Sequence, residues 1–75
     1  MATVQTAETV LNLLEANGSR LVRFRFLLSD ATEYYVGPMS IAPGVDPDAV
    51  RTAKGNQLLL RLAVNEVNEI LQSDE

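Results

Sequence analysis

Arg20-Leu21-Val22-Arg23-Phe24-Arg25-Phe26-Leu27-Leu28 decides the fold. Val22, Phe24, Phe26 and Leu28 alternate with Leu21, Arg23, Arg25 and Leu27, the period-two pattern of a strand with one buried face. The even-numbered face is wholly apolar, whereas the other interleaves two arginines with two leucines. Ser29-Asp30-Ala31-Thr32 supplies turn chemistry, and Glu33-Tyr34-Tyr35-Val36-Gly37 reads as the return strand, so residues 20–37 form a β-hairpin. Two registers are open. A two-residue turn at Asp30-Ala31 sets Phe26 opposite Tyr35; a three-residue turn over 30–32 sets Leu28 opposite Tyr34 and Phe26 opposite Val36. The second keeps the apolar face continuous and is preferred. Pro38 has no N–H to give a ladder, so the second strand ends there or forms an edge.

On the N-terminal side, Val4, Ala7, Leu11 and Leu14 recur at helical spacing, which predicts a helix over residues 4–17 closed by Asn17-Gly18. On the C-terminal side, residues 38–46 form a connector, with Met39 and Ile41 pinned to the core and Pro43-Gly44 marking a turn. Asp46-Pro47 then starts a helix, aspartate being a favoured N-cap and proline a favoured first helical residue. That helix runs over residues 47–72, either unbroken or interrupted at Gly55-Asn56. The expected fold class is α+β, a single small α-β-β-α domain with both helices on one face of the hairpin. A two-stranded sheet is marginal by itself, and its open edges invite further strands.

Seventy-five residues give one domain with a modest core. Small domains gain stability from disulfides, a metal or oligomerisation. With no cysteine and no histidine, disulfides and zinc are excluded, which favours association. The same inventory removes the commonest general base and the best nucleophile, and the four glycines are too scattered for a phosphate loop. The chain is therefore expected not to be an enzyme, with no catalytic residue, cofactor, metal or small-molecule substrate. A net charge of −4 disfavours nucleic acid and anionic membranes. No apolar run exceeds the length of Leu58–Leu60, and Met1–Gln5 lacks signal-peptide features, so a cytoplasmic protein is expected.

The candidate functional residues are surface residues. In the last helix, Leu60, Ala63, Val64, Val67, Ile70 and Leu71 form an apolar stripe assigned to the core, with Leu59 at its margin. Leu58 and Leu62 point almost opposite Leu60 and are assigned to a partner-facing surface. Arg23 and Arg25 on the mixed hairpin face, with Tyr35 on the paired strand, form a second candidate interface, since arginine and tyrosine favour binding hot spots. A β-ribbon of arginines can also enter a DNA groove. Asp46 and Asp48 read as helix caps, and Glu66 and Glu69 as a solvated face.

Val22–Pro38 resembles the hairpin of small bacteriophage proteins in which a strand, a polar turn and a second strand precede a C-terminal helix. The resemblance implies either a virion component assembling in many copies or a small acidic inhibitor of a host protein, and it assigns no residue a role. The expected function is a protein-interaction and assembly module, self-associating or bound to another protein. The alternatives are an acidic inhibitor or nucleic-acid mimic, and a nucleic-acid binder using the arginine ribbon.

Overall fold

The computed structural model describes residues 2–73. Three strands, β1 (Val4–Leu14), β2 (Arg20–Leu28) and β3 (Glu33–Ile41), precede one helix, α1 (Pro47–Ser73). The sheet is antiparallel with order β1-β2-β3, so β2 is central and paired on both sides. The α+β class stands, but the N-terminal helix does not form: residues 4–14 are a strand, and a single helix covers one face of a three-stranded sheet.

The reason lies in two bulges. The β1–β2 ladder shifts register between Val4 and Thr6 and again between Thr9 and Leu11, each shift adding one residue to β1. Residues of β1 opposite the buried side of β2 are consequently Val4, Ala7, Thr9 and Asn12, a spacing of three, two and three. The bulges break the strict alternation of a strand, and Leu11, on the other face opposite Arg23, completes with Val4, Ala7 and Leu14 an apolar series at helical spacing that conceals the strand. Pairing with β1 also satisfies the second edge of β2, which a helix could not have done.

The two hairpin turns are built alike. In the first, Glu15 and Ser19 close a loop over Ala16-Asn17-Gly18; in the second, Leu28 and Thr32 close one over Ser29-Asp30-Ala31. In each, a side-chain oxygen of the middle residue accepts the N–H two residues on: Ser19 N–H to Asn17 and Thr32 N–H to Asp30, both at 3.0 Å. The Thr32 side chain and N–H together hold the Asp30 carboxyl below its ordinary range. The third loop residue takes positive φ, +86° at Gly18 and +69° at Ala31. This turn fixes Phe26 opposite Tyr34, so both registers expected from sequence are corrected, the preferred one by two residues; the pairing of apolar faces is kept. Alanine carries a steric cost at positive φ that glycine lacks, of about 1 kcal/mol after glycine's greater unfolded-state freedom is counted. Ala31→Gly is expected to raise the urea midpoint of unfolding accordingly, and a lowered midpoint would contradict this turn geometry.

β3 does not end at Pro38 but continues as an edge strand to Ile41, so residues 38–41 of the expected connector belong to the sheet. One extra residue in β3 between the Phe24–Val36 and Val22–Met39 pairs returns Met39 and Ile41 to the face of Tyr34 and Val36. The core is one-sided: Val22, Phe24, Phe26 and Leu28 of β2, Ile41 of β3 and Leu58 of α1. The rings of Phe24 and Phe26 lie 6.3 Å apart at 55°.

α1 starts at Pro47 as expected, with the Asp46 side chain accepting the Asp48 N–H at 3.1 Å. It passes through Gly55 unbroken. Gly55 is buried, and a Cβ there would stand 3.2 Å from a Phe26 ring carbon. Glycine is a contact residue here, bringing the helix backbone onto the central strand.

Candidate functional site

α1 spans 27 residues, about 40 Å at 1.5 Å per residue, and outruns the sheet. Its first half lies on the sheet: Arg51 donates to the Thr9 hydroxyl at 2.8 Å, Gly55 meets Phe26, and Leu58, Leu59 and Leu62 pack on the core. Glu66 still shares a small pocket with Leu28, Tyr34, Leu59 and Leu62. Beyond it, Val67, Asn68 and Glu69 are exposed.

Leu58 is 6% exposed and Leu62 is partly buried against the core, so their assignment to a partner-facing surface is corrected: they hold α1 on the sheet. The stripe assigned to the core is the exposed one, with Leu60 at 67%, Val64 at 51%, Val67 at 54% and Leu71 at 65%. Ala63 is half-buried, and the Ile70 side chain lies outside the described residues. The two stripes are indeed opposite each other; their roles are exchanged. The sheet-facing row runs Arg51, Gly55, Leu58, Leu62, Glu66, and its ends are not apolar. The more continuously apolar row of α1 therefore faces away from its own fold.

Arg23, Arg25 and Tyr35 do come together, on the sheet face that α1 leaves uncovered. Opposite pairing sets Glu8, Arg25 and Tyr35 in one row across the three strands. Arg25 Nη1 donates to Glu8 Oε1 at 2.6 Å, and Nη2 donates to Glu33. The hydrogen bond from Glu33, with Glu8 in support, raises the pKa of this guanidinium further. Arg23 lies over the Tyr35 ring, 4.6 Å from its centroid. Leu11, Leu21 and Leu27 flank this row, all half-buried. Two carboxylates on one arginine and a ring beneath the other make the face internally satisfied.

A third feature is an open groove of about 350 Å³ between β1 and α1, floored by Val4, Ala7, Phe26 and Leu59. It exists because Ala7 and Gly55 are small. Its cation, Arg51, is already engaged by Thr9 and by Asp48 at 3.1 Å. Asp46 caps α1, as the sequence indicates, and Asp48 stands in its first turn rather than at the cap. No helix is long and apolar enough to cross a membrane among the described residues. Compared with protein-family models, curated proteins and solved structures, the chain matches none.

Proposed function

We propose that this chain is a non-enzymatic interaction module that associates with itself through the C-terminal half of α1. The observation that carries the reading is the exposure of Leu60, Val64, Val67 and Leu71 on a helix whose opposite row holds the sheet. An amphipathic helix buries its apolar stripe where it can. Here the larger stripe has no cover among the described residues. Four such side chains amount to roughly 400 Å² of contiguous apolar surface, within the range of patches that mark interaction sites. The absence of histidine and cysteine from the sequence supports a binding role over a catalytic one.

The two other readings have less support. Nucleic-acid binding needs free cations, and Arg25 is held between Glu8 and Glu33 while Arg23 stacks on Tyr35. Charge mimicry needs a bare acidic array, and Glu8, Glu33 and Asp48 are paired with arginines.

The test is absolute mass by light scattering over a dilution series, for the wild type and for Val64→Glu. The wild type is expected to rise from monomer towards a discrete oligomer with concentration. Val64→Glu is expected to stay monomeric with an unchanged circular dichroism spectrum. A wild type monomeric at every concentration overturns self-association, and a variant keeping the wild-type mass overturns the surface.

A further inference from the structure

The spacing of the exposed stripe limits how two copies can meet. Leu60, Val64, Val67 and Leu71 are separated by four, three and four residues, one and a half heptads of a coiled-coil seam. This spacing reads the same in both directions. Turned end for end about a two-fold axis between Asn65 and Glu66, the row falls on itself. Leu60 meets the partner's Leu71, and Val64 meets the partner's Val67. A self-complementary patch is what a closed two-fold dimer requires.

Resting on the reading of α1 as a self-association surface, we infer that the partner is a second copy of this chain, docked antiparallel with Leu60 against the partner's Leu71 and Val64 against the partner's Val67.

Charge favours the antiparallel direction. The last turn of α1 carries no basic residue to offset the negative end of its dipole. Arg61 is exposed, beside Leu60, and makes no salt bridge among the described residues. Antiparallel docking lays it beside the partner's last helical turn, where a cation is favourable. Parallel docking leaves both helix ends side by side and both uncompensated. Glu66 and Glu69 sit off the seam in either direction, so an acidic chain meets itself without facing carboxylates. Geometry permits the overlap, because this row points away from the sheet that α1 covers. Pairing two patches buries roughly 800 Å² of apolar surface before flanking residues are counted, the range of a weak dimer that forms and dissociates with concentration.

The native chain has no cysteine, so introduced thiols report cleanly. Leu60→Cys and Leu71→Cys variants would be oxidised in air, singly and as an equimolar mixture, and resolved by non-reducing electrophoresis. Light scattering under reducing conditions would first check that each retains the wild-type mass. Antiparallel docking places the two copies of Leu60 about 16 Å apart along the helix axis, too far for a disulfide. The expected result is a covalent dimer that dominates in the mixture and is absent from either variant alone. Covalent dimers from Leu60→Cys alone would show parallel docking and overturn the inference while leaving self-association intact. A non-covalent dimer by mass with no cross-link in any sample would also overturn the register. A wild type monomeric throughout would overturn the self-association reading itself, and the inference with it.

Discussion

Gly37→Ala is expected to remove about 3–5 kcal/mol of the stability of this domain. Gly37 has φ of +107°, a conformation that side chains other than glycine's rarely enter, and an added Cβ would stand 2.8 Å from the Val22 carbonyl oxygen and 3.2 Å from Arg23 Cα. Both contacts are with the backbone of the central strand, which cannot yield without disturbing two ladders. Backbone strain and overpacking together cost about 3–5 kcal/mol. A domain of this length has roughly 4–11 kcal/mol to lose. Gly44 supplies the control: its φ is +83°, but a Cβ there meets nothing within 4 Å. Gly44→Ala bears the backbone term alone, about 1 kcal/mol. Urea unfolding of both variants separates the terms. A Gly37→Ala midpoint no lower than that of Gly44→Ala would mean that β3 does not bulge as described.

That bulge also explains why Met39 and Ile41, placed on the core by the sequence reading, were assigned to a connector and not to β3. An unbroken alternation from Tyr34 and Val36 puts residue 38 on the core face and Met39 on the other. The extra residue reverses this, bringing Met39 and Ile41 inward and leaving Tyr35 on the arginine face. The pattern was legible where strands are regular. All four buried residues of β2, the hairpin's matched faces and the Asp46-Pro47 helix start were visible because local chemistry and tertiary structure agree there. β1 was not, because bulges at Gln5 and Val10 break its alternation, and Leu11 on the outer face completes an apolar series at helical spacing with Val4, Ala7 and Leu14. Asn17-Gly18 compounded the error: a left-handed pair after an apparent helix reads as a C-cap, and here it turns a hairpin.

The helix was read in the correct phase and with the wrong sign. Periodicity finds stripes, and it cannot say which of two stripes touches the rest of the fold. Gly55 was the available clue. Read as a weak point or a break in α1, it is instead a point of close approach to Phe26, and it lies on the same row as Leu58 and Leu62. A glycine on one row of an otherwise unbroken helix marks the side where another backbone or ring comes near. Of the candidate interface residues, Arg23, Arg25 and Tyr35 were correctly placed on one face, yet their mutual satisfaction depends on Glu8, which was assigned to a helix.

Leu58→Asp and Leu60→Asp, two residues apart on one helix, are expected to fail in opposite ways. Leu58 is 6% exposed in a core of few residues, and Lys54 and Arg61 line the space beside it. Replacing it forfeits packing that costs about 2–5 kcal/mol to lose, and a carboxylate must either desolvate or leave the core towards those cations, so Leu58→Asp is expected to be largely unfolded at room temperature. Leu60 is 67% exposed and contributes nothing to that core. Leu60→Asp is expected to fold, with a far-ultraviolet spectrum like that of the wild type. Its signature is found in concentration dependence. Association stabilises the folded state by mass action, so the wild-type Tm should climb with protein concentration. In Leu60→Asp, two carboxylates would enter each dimer seam opposite leucine, and the Tm should become independent of concentration. The fold is thus read from Leu58 and the interface from Leu60. A folded Leu58→Asp would return α1 to the opposite phase, with Leu60 on the sheet. A Leu60→Asp variant whose Tm still climbs as the wild type's does would keep α1 where it lies and move the self-association surface elsewhere.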